Sequence, residues 1–429
     1  MGRLASLDDI VRNGLCIGCG LCESMAGSAS VRMALTKAGQ LRPITERPLA
    51  PDLFARILDA CPGATIQGPD ARQAEADRAV VSTMWGPIHS LRRCWAADPR
   101  IRHKAAAGGA LTALGVHLLK AGEVEAVLHV RASDAEPMMT LAHISTTPED
   151  VIAGAQSRYG PGAPLVPVMK LLDEGRRFAV IGKPCDVAAM RNLARQDARV
   201  AAQVPYLLTI FCGGLANMQT AEKIARYHGL SPDDVRVFRW RGEGWPGPTH
   251  VEAKDGRVFD MTYEDTWYVK PKPWTYDLQF RCKICPDAIG EQADVACPDG
   301  WIIEGGKRIF REAPGVNLAV ARNAKGTGLV DRAVAAGELI VAPCTEADME
   351  IQHGDHRRRK LGYPARTLAM RLAGAPVPRG RRLRSWRHAF ANGLKENWEA
   401  FRGAWMRARE GAHRESGQPR EDARETPSS

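Results

Sequence analysis

The sequence has no apolar run long enough to cross a bilayer. The longest candidate, residues 204–216, has 13 residues and contains one cysteine and two glycines. A membrane-spanning helix needs about 20 apolar residues. The first residues also lack the apolar stretch of a secretory signal peptide. Together these absences predict a cytoplasmic protein.

Two signatures of hydrolytic enzymes are also missing. The chain contains neither the Gly-x-Ser-x-Gly turn that presents a nucleophilic serine nor the His-Glu-x-x-His motif of zinc peptidases. Its hydrophobic content of 45% and charged content of 25% are ordinary for a globular protein, and 429 residues suffice for several domains. The sequence therefore predicts a folded protein whose chemistry is not nucleophilic hydrolysis.

Acidic residues are fewer than basic residues, and the basic excess is unevenly distributed along the chain. The chain has 59 Lys and Arg against 49 Asp and Glu, a net charge of +10. About half of that excess lies after residue 378. A basic protein raises the hypothesis of nucleic-acid binding. Since the body of the chain is nearly balanced, we expect no nucleic-acid partner.

The eleven cysteines form the most informative pattern in the sequence. Their number is odd and no secretory signal precedes them, so a disulfide framework is not expected. Cys16, Cys19 and Cys22 have the tight spacing of a ferredoxin 4Fe-4S site, and Cys61 precedes a proline as a ferredoxin fourth ligand does. A zinc site or unliganded thiols are the alternatives. Because no second triplet lies nearby, Cys61 is assigned to the same cluster.

Five further cysteines could supply a second cluster with one thiol to spare. Cys282 and Cys285 are three residues apart and Cys297 follows closely, while Cys185 and Cys212 each follow a predicted strand. Loops at the carboxyl ends of parallel strands are where α/β sheets bind ligands. The alternative for Cys185 and Cys212 is a small buried side chain.

Alternating apolar runs and helical stretches predict an α/β fold with a mixed-sheet core. A small ferredoxin-like 4Fe-4S module is expected over residues 1–75 and an α/β domain over 80–345. The strands predicted in that domain are 125–130, 178–182, 206–211 and 235–240, and the helices are 111–120 and 187–194.

The C-terminal region has a different composition. Leu383, Trp386, Phe390, Leu394, Trp398, Phe401 and Trp405 recur at steps of three and four residues. This spacing predicts one basic amphipathic helix over 376–410, followed by a disordered tail over 411–429. The helix could pack on the body or on a partner subunit, or lie on a membrane surface.

The motifs in this order resemble the beta subunit family of coenzyme F420 hydrogenase/dehydrogenase, which includes 7-hydroxymethyl chlorophyll a reductase and a ferredoxin-dependent divinyl chlorophyllide 8-vinyl reductase. The resemblance extends from about residue 10 to 305. The motifs that carry it are Cys16-x-x-Cys19-x-x-Cys22, Cys61-Pro62, Ala107-Gly108-Gly109-Ala-Leu-Thr112, Ser157-Arg-Tyr159, Gly182-Lys-Pro-Cys185-Asp, Phe211-Cys212-Gly213, Arg241-Gly-Glu-Gly-Trp-Pro-Gly247 and Arg281-Cys282-x-x-Cys285-x-Asp287.

The resemblance implies an iron–sulfur flavoprotein oxidoreductase with FAD and two 4Fe-4S clusters. The first cluster would use Cys16, Cys19, Cys22 and Cys61, and the second Cys185, Cys212, Cys282 and Cys285. Cys297 is an alternative to Cys185 or Cys212. The flavin would be lined by Gly108, Gly109, Thr112, Ser157 and Tyr159, with Lys183 near it.

The function expected from this set is electron transfer. Electrons from ferredoxin or a partner subunit would pass through the clusters to the flavin, which would deliver a hydride to an organic acceptor such as coenzyme F420 or a tetrapyrrole. The alternative is a non-catalytic electron-relay subunit of a larger complex. No catalytic residue is predicted from the sequence.

Overall fold

The structure is a computed structural model, and it describes residues 4–270, 274 and 277–420. Within these residues no helix is both long and apolar enough to cross a membrane. The chain folds around one large sheet, with a cysteine-bearing module at one side.

The N-terminal module consists of short elements around the first three cysteines. Its helices are Leu7–Arg12, Leu21–Ala26, Pro51–Ala60 and Ala71–Ala76, and its strands are Val31–Leu35, Leu41–Thr45 and Thr65–Gln67. The first helix begins with a capping box, in which Ser6 and Asp9 each accept a hydrogen bond from the other's backbone amide. The first two strands form an antiparallel hairpin.

The central sheet has eight strands and is mixed. Across the sheet they are Leu339–Pro343, Ser90–Ala96, Asn317–Ala321, Val295–Ala296, Leu207–Thr209, Phe178–Gly182, Ala126–Ala132 and Thr140–Ser145. The four strands that begin at residues 295, 207, 178 and 126 are parallel neighbours, and the other pairs are antiparallel. This sheet confirms the mixed α/β class.

Helices cover both faces of the sheet. Ala110–Lys120 and Ala324–Ala335 contribute to one buried apolar cluster, and Val168–Asp173 and Pro184–Leu193 contribute to another. The remaining helices of the body are Pro99–Lys104, Pro148–Ala153, Ala198–Gln203, Met218–Tyr227, Tyr263–Trp267 and Phe280–Lys283, with a 3-10 turn at Pro232–Asp234. The large cavity described below lies at the carboxyl ends of the parallel strands.

Several elements agree with the sequence predictions. The run at 178–182 is a strand with the predicted bounds, Phe178–Gly182, because every residue in it is apolar or glycine. The predicted strand at 235–240 is Val235–Arg239, but it lies in a separate antiparallel sheet with Thr249–Ala253 and Val258–Met261. Smaller hairpins are Val80–Ser82 with Gly86–Ile88 and Ile302–Glu304 with Lys307–Ile309.

The C-terminal region differs from the single helix expected over 376–410. Arg379–Arg381 is a strand that pairs in parallel with Thr65–Gln67 of the N-terminal module. Two helices follow, Ser385–Ala391 and Leu394–Arg409, because Gly393 has a φ of 79° that ends helical geometry. They pack with Glu346–Leu361 and Tyr363–Leu372.

Residues 411–420, which the composition predicts as disordered, lie along the N-terminal module. The amide of Glu415 donates to the Arg12 carbonyl at 3.0 Å, and the amide of Arg420 donates to the Leu35 carbonyl at 2.9 Å. We call residues 411–420 the C-terminal strap. The sequence has no period that reveals these contacts, because they join backbone groups nearly 400 residues apart. The rest of the predicted tail lies outside the described residues.

Candidate cofactor sites

The four thiols predicted for the first cluster line one small cavity. Cys16, Cys19, Cys22 and Cys61 surround it, together with glycines and apolar side chains. Burial raises the pKa of the Cys61 thiol to about 11 and raises the pKa of Cys19 and Cys22 well above the ordinary value. Buried thiols with such pKa values need a cation or a cluster to hold them as thiolates.

Backbone amides are directed at the sulfurs of this first thiol group. The Gly18 amide donates to the Cys16 Sγ at 3.4 Å. Amides at residues 21, 23 and 63 likewise lower the pKa of Cys19, Cys22 and Cys61. Gly18 has a φ of +71°, and a Cβ there would lie 2.8 Å from the Leu41 carbonyl oxygen. Amide donors directed at the sulfurs, together with this close packing, suit the negatively charged sulfurs of an iron–sulfur cluster.

The second thiol group gathers at the carboxyl end of the parallel strands. Each thiol interacts electrostatically with others of the group: Cys185 with Cys212 and Cys282, and Cys212 with Cys285. Burial raises the pKa of Cys212 to about 12 and that of Cys185 well above its usual range. The Leu215 amide donates to the Cys282 Sγ at 3.4 Å. The structure therefore brings together the four thiols that the resemblance implied.

Cys297, the spare thiol, lines the same large cavity as Cys212, but its sulfur interacts with a different cysteine. It is 2% exposed and its sulfur interacts with that of Cys94, inside the apolar cluster beneath the sheet. The Asn317 side chain donates to the Cys297 carbonyl at 3.3 Å and ties it to the neighbouring strand. This location favours a packing role for Cys297. Among the described residues, no three His, Cys, Asp or Glu side chains form a group that could hold a single metal ion.

A cavity of about 590 Å³ opens beside the second thiol group. Cofactor pockets typically measure about 300–1,000 Å³. Gly109, Thr112, Ser157, Tyr159 and Lys183 line the cavity, as does Cys212. Gly108, the sixth residue predicted to contact the flavin, is not among the lining residues. Its α-carbon packs against Asn317, where a Cβ would approach the backbone nitrogen to 2.7 Å.

Two features of the cavity wall suit an anionic or hydrogen-bonding ligand. Asp186 is fully buried and one of its oxygens accepts from the Lys183 ammonium at 2.7 Å, while its other oxygen has no hydrogen-bond partner among the described residues. Burial alone would lower the pKa of Lys183, but the Asp186 carboxylate outweighs it and raises that pKa. The helix Ala110–Lys120 begins at the cavity, with Gly109 as its N-cap. The Ala110 amide donates to the Asn317 Oδ1 at 3.2 Å, and the positive end of the helix dipole lies at the ligand space.

Arg241 connects the loops that form the cavity. The residue is 2% exposed and its guanidinium donates to four acceptors. These are the Ala106 carbonyl at 2.6 Å, the Pro246 carbonyl at 2.9 Å, the Asp299 carboxylate at 3.0 Å and the Tyr159 hydroxyl at 3.2 Å. Burial opposes the charge, but Asp299 outweighs it and raises the pKa of Arg241. The guanidinium therefore stays charged and fixes four separate segments.

Sequence reasoning missed the wall formed by the helix Glu346–Leu361. This helix is kinked at His353, and His353, His356 and Arg359 line the cavity. Arg359 donates to the Cys212 carbonyl at 3.0 Å and to the Gly213 carbonyl at 2.8 Å. The helix lies beyond the predicted domain end at 345, and its alternating charges in the sequence are typical of a solvated surface helix. Only its fold against residues 211–213 identifies it as part of the site.

Two buried arginines lie between the two thiol groups. Arg42 interacts with Cys16 of the first group and Cys282 of the second. Arg281 interacts with Cys61 and with Cys285, and it donates to the Pro62 carbonyl at 3.2 Å. The sequence offered no signal for Arg42, which lies in a hairpin strand without a motif.

Comparison with known proteins finds two matching family models. Residues 92–172 match the coenzyme F420 hydrogenase/dehydrogenase beta subunit N-terminal model, and residues 175–347 match the C-terminal model of the same family. Together they cover more than half of the chain.

Similar proteins carry related names. The chain is 29% identical over 224 residues to F420-dependent formate dehydrogenase 1 subunit beta from Methanococcus maripaludis, covering 51% of this chain and 54% of that protein. It is 26% identical over 229 residues to the F420-dependent formate dehydrogenase subunit beta of Methanocaldococcus jannaschii, covering 51% of this chain and 58% of that protein. The chain thus spans a little over half the length of these relatives.

A solved structure is also similar. A chain of the F420-reducing NiFe hydrogenase complex from Methanosarcina barkeri aligns with a TM-score of 0.48 and 20% identity, over 62% of this chain and 85% of that one. The two adjacent family-model matches decide the assignment. The chain belongs to the coenzyme F420 hydrogenase/dehydrogenase beta subunit family.

Proposed function

We propose that this protein is an oxidoreductase that carries FAD in the large cavity and two 4Fe-4S clusters at the two thiol groups. The observation that carries the proposal is that the two thiol groups and the large cavity adjoin one another. Cys212 belongs to the second thiol group and also lines the cavity. Arg42 interacts electrostatically with Cys16 of the first group and Cys282 of the second. When bound, the clusters would supply one-electron transfer and the flavin would supply hydride transfer.

The residues around the cavity have distinct roles in this proposal. Lys183 and the N-terminus of the helix Ala110–Lys120 would bind anionic parts of the flavin nucleotide. Arg359 holds the loop at Cys212 through two carbonyl oxygens, so it keeps the thiol group against the cavity. Arg241 orients Tyr159 by donating a hydrogen bond to its hydroxyl.

An organic hydride acceptor would bind at the aromatic side of the cavity. Tyr263, Trp267 and Trp301 line that side, and the Arg241 guanidinium lies 5.1 Å from the Tyr263 ring centre and 5.5 Å from that of Trp301. Planar rings stack on such surfaces. An acceptor with a flat conjugated ring, such as coenzyme F420 or a tetrapyrrole, suits this wall.

Anaerobic purification with iron, sulfide and flavin analysis tests the proposal. We expect about eight iron atoms per chain, four for each cluster, together with one FAD. Cys16→Ser and Cys282→Ser should each lose about half of the iron. Cys344→Ser is the matched control, because this thiol lies at the end of an edge strand outside both groups. Four iron atoms without flavin would reject the flavoenzyme and favour the relay subunit.

We further propose that the C-terminal helices bind a partner oxidoreductase subunit. Trp386, Phe390, Leu394 and Trp398 are 63%, 84%, 91% and 61% exposed around the turn between the two helices. Arg387 stacks on Trp386, with its guanidinium 5.1 Å from the ring centre. Exposed aromatic groups with arginine are typical of protein interfaces. The relatives named above are themselves subunits, which supports a subunit rather than a membrane as the partner.

Affinity purification of the tagged chain from its native cells tests this surface. We expect an oxidoreductase subunit, identified by mass spectrometry, to co-purify with the unmodified chain and to be lost from the Phe390→Ser/Leu394→Ser variant. Val258→Ser is the control, because Val258 is 52% exposed on a distant strand. Retention of that subunit by the double variant, or binding to anionic phospholipid vesicles instead, would contradict the proposal.

A further inference from the structure

Arg42 is a buried charge placed between the two thiol groups. Its side chain has no exposed surface. Its guanidinium interacts electrostatically with the Cys16 thiol. Its Nη2 donates to the Gln279 Oε1 at 3.1 Å, and the Gln279 Nε2 donates to the Cys282 Sγ at 3.4 Å. One guanidinium therefore interacts with the charge of the first group and is hydrogen-bonded to the second group through one amide.

The carboxylate that balances Arg42 comes from the C-terminal strap. The Nε and Nη2 of Arg42 donate to the two carboxylate oxygens of Glu415, each at 2.8 Å. This fork geometry is the strongest form of an arginine–carboxylate pair. The Glu415 side chain is only 13% exposed. The strap thus adds one negative charge at the point where the two thiol groups approach each other.

We propose that Arg42 and Glu415 together set the reduction potentials of both clusters, so that the C-terminal strap controls electron transfer between them. This inference depends on the proposed function. Reduction adds one negative charge to a cluster. A nearby guanidinium favours the reduced form, and a nearby carboxylate disfavours it, with little screening at a buried site. In the native pair the two effects partly cancel at both clusters.

The charges predict opposite shifts for the two single variants. Glu415→Gln leaves Arg42 uncompensated, so both midpoint potentials should rise. Arg42→Met leaves Glu415 uncompensated, so both should fall. We expect each shift to correspond to at least a tenfold change in the reduction equilibrium, which is 59 mV for a one-electron couple. The double variant Arg42→Met/Glu415→Gln removes both charges and should return both potentials towards the native values.

An anaerobic redox titration monitored by electron paramagnetic resonance reads each cluster separately. Iron analysis of every variant establishes that the clusters are present. The control is Glu46→Gln, which removes the partner of Arg32 in an exposed ion pair of the same module and should leave both potentials unchanged.

Shifts of the same sign in both single variants would overturn the inference. Such shifts would indicate a general loosening of the structure, whose effect does not depend on the sign of the removed charge. Shifts below threefold with full iron content would also overturn it. Opposite shifts at the first cluster only would restrict Arg42 to that cluster and reject control between clusters. If iron analysis shows that the native protein holds one cluster or none, the result rejects the proposed function rather than the role of the two charges.

Discussion

Replacing Arg241 with methionine removes the connection between four segments of the cavity. The guanidinium donates to two backbone carbonyls, one hydroxyl and the Asp299 carboxylate, and its side chain is 3% exposed. Methionine fills similar volume but donates nothing. Because the Ala106 and Pro246 carbonyls are buried, they would lose their partner without replacement by water, whereas Asp299 and Tyr159 line the cavity.

The expected cost follows from these contacts. A hydrogen bond from a charged donor contributes about 1.5–3 kcal/mol, but four bonds made by one group are not additive. Breaking a fully buried ion pair by removing one partner costs about 3–5 kcal/mol, and the cost is smaller here because the Asp299 side chain is 23% exposed. We therefore expect Arg241→Met to lower the free energy of unfolding by about 4 kcal/mol, a decrease in Tm of about 8–16 °C for a domain of this size.

Thermal unfolding followed by circular dichroism, on protein prepared without cofactors, measures this directly. The matched control is Arg257→Met, whose exposed guanidinium pairs with Asp255 at 2.9 Å and should change Tm by no more than about 2 °C. Arg241→Lys keeps the charge but not the fork, so its decrease should be intermediate. A decrease for Arg241→Met no larger than that of the control would refute the assignment of Arg241 as the connecting residue.

Two further predictions concern the sheet and the second thiol group. Asp294 is 1% exposed and buried, which by itself raises its pKa, but Arg191 and Lys325 at 2.9 and 3.2 Å outweigh burial and lower the pKa below its unfolded value. The ionised Asp294 carboxylate therefore stabilises the fold above the unfolded pKa of about 3.9, and this stabilisation is lost as the pH falls through the lower folded value. In urea unfolding, Asp294→Asn should be less stable than the native chain at neutral pH, and the difference should shrink in acid. A difference that stays constant with pH would contradict this. Cys185→Ser should lose about four iron atoms and Cys297→Ser none, and iron analysis that gave the reverse result would make Cys297 the ligand.

Local patterns in the sequence predicted the parts of the fold that depend on neighbouring residues. The strand Phe178–Gly182 and the helix Ala110–Lys120 lie where the apolar runs indicate. The two thiol groups also follow the spacing of their cysteines and the positions of the strand ends. These features are local, because a strand end and a three-residue spacing are encoded within a few positions of each other.

The features that the sequence did not predict depend on residues far apart in the chain. Arg42 and Glu415 are separated by 373 positions, and neither belongs to a recognisable motif. Gly108 and Gly109 are adjacent, yet only Gly109 lines the cavity. Gly108 instead allows close packing on Asn317. Periodicity cannot distinguish these roles, because both depend on which distant backbone lies against the glycine.

The contacts of the C-terminal region change how the first thiol group is understood as a structural unit. A ferredoxin-like module is expected to fold around its own metal, and the sequence places its end near residue 75. In the structure, Met370 and Ala408 belong to the same apolar cluster as Leu15 and Cys16, and the His413 carbonyl packs so closely on Gly14 that a Cβ there would lie 2.2 Å from its oxygen.

Both ends of the chain therefore enclose the first thiol group. The N-terminal residues supply the sulfurs and the directed amides, while residues after 365 supply apolar cover, a paired strand and the carboxylate on Arg42. An isolated 1–75 fragment would have the ligands but would expose Arg42 and part of the apolar cluster to water. Since solvent exposure and nearby charge both influence the potential of an iron–sulfur site, the properties of a cluster bound at these thiols would depend on the whole chain rather than on its N-terminal module alone.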